Sequence, residues 1–403
     1  MHLSLMSVEF FILSVAAAVL SAVFSGRLRQ IAFLCVNLFF LWKMLLGPYG
    51  TLSTIVFCLL GYGLIQLILH RPCSGFWVAL FLYVPLFLYM RRYDFLMWFM
   101  PESTLIQALN TVGLSFLFFK VVHVMIEARI GSIGTLPFAA YLNYCLNFTT
   151  FMMGPIQRYQ DFYDQYHGTK EAIPPQFEAH LDAVLRILVG LIKAYVLALW
   201  FADKALQPDT DIFALSFVQL LVKVYAFYFF LYLNFSGYCD VVIGVGSLIG
   251  VKPPENFNLP FLAHNISDFW LRQHRSLTLW LTDYIFSPMY KWILSSRQFY
   301  SYPLLAANGA LLITMLISGL WHGTTLSFLL YGVTHGVFLV IYRTWDTYLT
   351  RQFGTQRVRL WRARWPVRVA GIIITFNATA FSFIFFRLNT AQIAKIFDRL
   401  WNL

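Results

Sequence analysis

An all-α, polytopic membrane bundle is the fold class this sequence predicts, and three observations predict it. Charged residues make up 12% of the 403-residue chain, while 59% is hydrophobic. A soluble domain carries roughly 25% charged residues; half that share leaves too little polar surface to cover a globule of this length. Apolar runs of membrane-spanning length also recur along the whole chain, a span needing about 20 such residues. Finally, 41 phenylalanines help to bring the aromatic share to 19%, a usage suited to lipid-facing and interfacial positions.

Candidate spans lie near 8–25, 30–47, 52–69, 75–90, 104–127, 136–156, 183–202, 211–235, 300–321, 324–344 and 367–387. Some are short or polar, so we expect about ten to twelve transmembrane helices. No segment is large and polar enough to stand as a separate soluble domain, and no fixed-period repeat is visible. The whole of 1–403 reads as one integral-membrane domain. No cleavable signal peptide is expected, since nothing basic precedes the first apolar run.

Charge gives a topology. The stretch Met1 to Ser7 carries no Lys or Arg, Gly26 to Gln30 is basic, Gly47 to Thr51 is uncharged, and His70 to Pro72 is basic again. This alternation places the amino terminus outside and the first connection in the cytoplasm. Arg91 and Arg92 then fall on the wrong side, which a short or re-entrant segment near 93–101 would repair. The formal charge of +11 is assigned to cytoplasmic loops rather than to nucleic acid, because no DNA- or RNA-binding motif is present. Its densest part runs from Arg351 to Arg368 without an acidic residue. Membrane lipid is one expected partner of this run, at about 1 kcal/mol per basic residue near an anionic surface. An acidic soluble partner meeting Arg357, Arg359, Arg362 and Arg364 is the other.

The five cysteines (Cys35, Cys58, Cys73, Cys145 and Cys239) contain no CxxC pair and mostly sit in apolar runs. They read as small buried residues rather than as disulfides or metal ligands. The scattered histidines lack metal-ligand spacing, so no metal site is expected.

From Phe235 to Tyr290 the span pattern breaks, with Gly, Pro, Asn, Trp and charges interrupting short apolar stretches. Irregular backbone at membrane depth is tolerated only where protein or water surrounds it. Short tilted or interfacial helices are therefore expected here. Within this region, Ser267 or Asp268 is placed to cap a helix, and Asp268 and Arg272 are spaced to pair. A continuous helix would put Trp270, His274 and Leu277 on one face. A second histidine, His322, follows Trp321 in a polar break of a long apolar run. Intramembrane ionisable groups are costly and tend to mark a pathway or a site. His335, flanked by Gly332 and Gly336 at the spacing of close helix packing, reads as structural.

Taken together, "GYCDVVIGVGSLIGVKPPENFNLPF", "ISDFWLRQHRSLTLWLTDYIFSPMY" and "SGLWHGTTLSFLLYGVTHG" resemble the membrane-bound O-acyltransferase family, in its bacterial branch that modifies envelope polymers by alginate O-acetylation or teichoic-acid D-alanylation. The stretches 113–131, 148–162 and 381–397 resemble the same branch. The likeness covers about 105–390, leaving 1–104 as peripheral helices. It implies a bundle with a central tunnel, in which an acyl group held as a cytoplasmic thioester is passed to a hydroxyl of a polymer outside. The family's Trp-His-Gly histidine corresponds to His322, and its second histidine to His274. Two departures stand out. Gln273-His274-Arg275-Ser276 replaces Trp-His-Ile-Ser, and Met289-Tyr290-Lys291 replaces a double glycine.

Such a transfer needs a hydroxyl made nucleophilic without exposing the thioester to water. A neutral imidazole, with an unperturbed pKa of about 6.5, suits the task of general base. His322 is expected in that role, with His274 orienting a substrate or stabilising the oxyanion. Trp321 would wall the tunnel, and Ser318, Asn256 and Asp283 are further lining candidates. The donor would be acetyl-CoA or a phosphopantetheine carrier protein, entering as substrate with no bound cofactor. An extracytoplasmic transferase is a further expected partner. Acetyl is the simplest acyl group and D-alanyl the alternative; a transporter with a histidine proton relay is the alternative from another class. Against the last stands the lack of an internal repeat. No GxSxG elbow, HExxH or P-loop offers a competing chemistry; a cysteine nucleophile is conceivable only at Cys239, expected in a polar turn. The expected location is the plasma (inner) membrane of a bacterium.

Overall fold

The computed structural model describes residues 6–93, 113–167, 177–208, 210–211 and 214–401. Among them there is no strand. The re-entrant segment expected near 93–101 lies, beyond Tyr93, outside the described residues. In chain order the helices are α1 (Val8–Val23), α2 (Gly26–Phe39), α3 (Gly47–His70), α4 (Pro72–Arg91), α5 (Leu114–Arg129), α6 (Phe138–Leu146), α7 (Tyr159–His167), α8 (Phe177–Lys204) and α9 (Phe217–Ile249). They continue as α10 (Ile266–Arg272), α11 (Arg275–Leu281), α12 (Ser287–Ser295), α13 (Pro303–His322), α14 (Leu326–Phe353), α15 (Thr355–Ala363), α16 (Trp365–Ser382) and α17 (Thr390–Trp401).

Among the described residues, α3, α4, α8, α9, α13, α14 and α16 (the last extended by a 3₁₀ turn to Phe386) are long and apolar enough to cross a membrane. Ten to twelve were expected over the whole chain, and part of the span expected at 104–127 lies outside the described residues. Other expected spans fall short of that length for local reasons. α1 is apolar but shorter, and α2 gives way to a π-helical stretch over Phe40–Leu46. The span expected at 136–156 is helical only over α6. There Lys120, itself buried, donates to the Tyr144 carbonyl at 3.0 Å and to Thr150 Oγ1 at 2.8 Å. The Asn147 side chain then accepts from the Thr149 backbone N–H and hydroxyl, at 3.2 and 2.9 Å. An ammonium on the last carbonyls and a local Asn turn both oppose further helix.

The contacts divide the chain into two compact units: residues 1–195 with 235–255, and residues 196–234 with 256–403. In the first unit, α9 runs on past Phe235, where a break was expected. Its Gly237 lies against the Gly190 carbonyl of α8, and its Gly244 against Ala183 and Ile187. Glycine here permits close helix approach rather than ending the helix. Cys239 is therefore buried within a helix rather than set in a turn. Asp240 beside it is held by Arg186 Nη2 at 3.1 Å and Lys193 Nζ at 2.7 Å. Cys58 and Cys145 are also buried, whereas Cys35 and Cys73 are exposed.

The second unit is built on the antiparallel pair α13–α14 and a core that includes Leu220, Phe227, Tyr228, Phe269, Trp270, Met315, Tyr331, Phe383 and Ile384. Lipid offers no hydrophobic drive between helices, so small residues must let the backbones meet. A side chain on Gly332 would collide with the Met315 carbonyl, and one on Gly319 with the Phe328 carbonyl. Gly332→Leu is accordingly expected to force α13 and α14 apart, lowering the detergent melting temperature by several degrees, as a change of about 1–3 kcal/mol does. Scanning fluorimetry reads this, and an unchanged melting temperature would refute the packing assignment.

Candidate active site

His322 is the last residue of α13. Gly323, which follows, is extended, with φ −169° and ψ 174°. Any side chain at Gly323 would run into the Phe328 ring, so the chain turns sharply and leaves the imidazole at the helix end. The ring is half-buried. Three aromatic rings surround it edge-on: Trp321 at 4.7 Å, Phe386 at 5.0 Å and Tyr331 at 5.5 Å between centroids. Trp321 itself is only 8% exposed. Its indole also lies edge-on to His274, at 5.6 Å. Both imidazoles therefore lie against one indole.

His274 arrives there by a different route from the one its spacing suggested. The expected continuous helix is broken. α10 ends at Arg272, Gln273 is extended, and His274 takes the left-handed conformation at φ 48°, ψ 50° before α11 begins. Trp270, His274 and Leu277 therefore do not share a helical face. The break is imposed by a neighbouring segment that supplies backbone partners. Asn258 donates its N–H to the Arg272 carbonyl, and the Asn256 carbonyl accepts from Arg275, each at 2.9 Å. The Asn256 side-chain carbonyl accepts from the Ser276 N–H at 3.1 Å and its hydroxyl at 2.8 Å, capping α11 from outside. Left-handed geometry costs a non-glycine residue about 1–2 kcal/mol and persists where surrounding contacts overdetermine it. Asn256, 1% exposed, supplies three such contacts. It braces the bend that aims His274, a role beyond the lining expected of it.

The start of α10 is capped by Asn265, whose side chain accepts from the Asp268 N–H at 2.9 Å; the expected caps were Ser267 or Asp268. The expected Asp268–Arg272 pair forms, at 2.8 Å.

His274 is 3% exposed, and burial pushes its imidazole down to about 3. It is thus an uncharged ring at any pH near neutral. The unfolded chain binds a proton at this residue below about 6.5, whereas the folded chain does not until about 3. The unfolded state therefore holds more protons between those values, and stability falls as pH drops through that window. We expect the melting temperature to decline from pH 6.5 to 4.5, with a shallower decline in His274→Gln; parallel curves would remove His274 as the source.

Ser318 lies one turn before His322 on α13. It is fully buried, and its hydroxyl has no hydrogen-bond partner among the described residues. Asp283 is exposed, on the π-helical stretch Thr282–Phe286. His335 is fully buried, and its Nε2 lies 2.7 Å from Ser382 Oγ. That hydroxyl donates to the Thr379 carbonyl at 2.6 Å, so the His335 Nε2–H is the donor to Ser382. This fits the structural reading. Tyr331 and Phe386 are wall residues that sequence reasoning missed. Among the basic residues, Arg357, Arg359 and Arg364 are exposed, and Arg362 pairs with Asp346.

The fold and these residues define an integral, multi-pass membrane protein with two histidines gathered on one tryptophan. The model of the membrane-bound O-acyltransferase family matches residues 38–386, and the chain belongs to that family. It is an enzyme of the O-acyltransferase type, which decides between the enzyme and transporter readings. The chain is similar to the teichoic acid D-alanyltransferase of Bacillus subtilis (strain 168), 28% identical over 378 residues, covering 92% of this chain and 89% of that one. The teichoic acid D-alanyltransferase of Streptococcus thermophilus is 31% identical over 294 residues, covering 69% and 68%. The peptidoglycan O-acetyltransferase of Helicobacter pylori is 30% identical over 267 residues, covering 63% of this chain and 45% of that one.

Proposed function

We propose that the chain transfers an acyl group from a cytoplasmic thioester to a hydroxyl of an envelope polymer, across the plasma membrane of a bacterium, with His322 as general base. The observation that carries this reading is the pairing of a half-buried imidazole and a deeply buried uncharged one on the same indole. His322 takes the proton of the acceptor hydroxyl as its oxygen attacks the thioester carbonyl. A tetrahedral oxyanion forms. His274, uncharged, donates a ring N–H toward that oxygen. The carbon–sulfur bond then breaks, and the leaving thiolate recovers the proton from the His322 imidazolium. Atoms and charge balance: one ester and one thiol replace one alcohol and one thioester. Trp321 keeps the two rings apart and in place, and the unpartnered Ser318 hydroxyl is available to an incoming polar group.

For the acyl group, D-alanyl from a phosphopantetheine carrier protein is favoured by length. The alignment to the Bacillus subtilis relative runs through nearly all of both chains. Acetyl remains a second reading, supported by the relative named peptidoglycan O-acetyltransferase. The exposed Arg357 and Arg364 suit an acidic carrier at the cytoplasmic face. Mass spectrometry of envelope polymers, with and without the protein, separates the readings. We expect loss of ester-linked D-alanine; loss of acetate alone would select acetyl, and no change in any polymer ester would refute both.

A further inference from the structure

Apart from the histidine pair, the second unit holds a cavity of about 900 Å³ lined by α14, α15, α16 and the start of α10. Its walls are apolar along most of their length, with Phe338, Ile341 and Trp345 from α14 facing Ala370, Ile374 and Ala378 of α16. Its other end carries Arg359, Arg362 and Arg368. On α16 the lining runs from Pro366 to Ala378. At 1.5 Å per residue this is about 18 Å, close to the ~15 Å of one leaflet's hydrocarbon. Gly371 lets the His264 backbone lie directly against α16, where any side chain would strike the His264 carbonyl.

The charge at the arginine end is only partly met. Arg362 pairs with Asp346 and reaches the Tyr342 hydroxyl at 3.4 Å. Arg368 points two donors at His264 Nε2, at 3.2 and 3.1 Å, and so meets a ring nitrogen rather than a carboxylate. The Asp268 carboxylate behind His264 is already held by Arg272 at 2.8 Å. Arg359 is exposed and has no acidic partner among the described residues. Trp345 and Trp361, at 52% and 44% exposed, flank this end. Tryptophans beside arginines mark the membrane interface.

We propose that this cavity is a binding site for one anionic phospholipid, its phosphate held by Arg359 and Arg368 and one acyl chain lying along the α14–α16 slot. Charge complementarity selects the headgroup. An exposed apolar groove about as long as one leaflet's hydrocarbon, with Ile341 61% and Ile374 69% exposed along it, suits a lipid chain. The site does not rest on the acyl-transfer reading, since it uses neither histidine, although Arg359 and Arg362 belong to the arginine run also read as a dock for an acidic partner.

Native mass spectrometry of the purified full chain in detergent tests this, with phosphatidylglycerol, phosphatidylcholine of the same chains, and inorganic phosphate as probes. The expected result is at least about tenfold preference for phosphatidylglycerol over phosphatidylcholine, falling by about tenfold in Arg359→Gln/Arg368→Gln. Ala378→Phe, which fills the slot, should weaken both lipids; Ala370→Phe serves if that variant does not purify as a single species. Equal binding of the two lipids overturns the anionic site. So does occupancy by inorganic phosphate that matches the lipid and ignores Ala378→Phe, which would assign the arginines to a soluble phosphate. Arginine substitutions that abolish binding of an acidic carrier protein but leave phosphatidylglycerol unchanged would make this face a protein dock instead.

Discussion

His322→Ala is expected to abolish envelope acylation while the protein still inserts and folds. A positioned general base contributes about 10²–10⁴-fold, and a loss of that size removes detectable ester from the polymer. The fold should survive because the imidazole is half-buried at the end of α13, where it contacts three rings and fills no deep core position. Conserving volume tests the chemistry separately: His322→Gln keeps a polar side chain of similar size but no basic ring nitrogen, and should be as inactive as alanine. Polymer ester content by base hydrolysis, with membrane abundance by immunoblot, is the readout. Undiminished ester in either variant would remove His322 from the mechanism.

His274→Ala is the second large effect, expected at about 10²–10³-fold, the usual cost of one oxyanion donor. Two consequences separate a positioned donor from simple packing. The loss should fall on kcat more than on KM, because an oxyanion exists only after the hydroxyl has attacked. The bracing residue should also matter through geometry. Asn256→Ala removes the acceptor that caps Ser276 and frees the left-handed bend, so kcat falls with it. Asn256→Asp keeps an oxygen at the capping position and should recover much of that loss. Wild-type kcat in His274→Ala would demote the residue to packing, and equal loss in Asn256→Ala and Asn256→Asp would break the link between brace and donor.

What the sequence made legible follows from where the causes lie. His322 stood out because a histidine beside Trp321 interrupts a long apolar run. Gly332 and Gly336 announced close packing, and Gly332 lies against Met315. The Asp268–Arg272 pair depended on local spacing alone. The bend at His274 was hidden, because nothing in Arg272-Gln273-His274 opposes a helix. The opposing bonds come from Asn256 and Asn258, more than a dozen residues earlier. Tyr331 and Phe386 were hidden for the same reason, being brought to His322 by tertiary packing. The break expected at Phe235 was misread through Gly237 and Gly244, which in a membrane helix serve approach rather than termination.

The most direct measurement follows an isotopic label in sealed vesicles holding the purified protein, with labelled acyl thioester on the cytoplasmic side and acceptor polymer on the other. The account predicts label appearing as base-labile ester on the polymer with wild type, and falling to background with His322→Ala. Ester formation at an equal rate in both would contradict it.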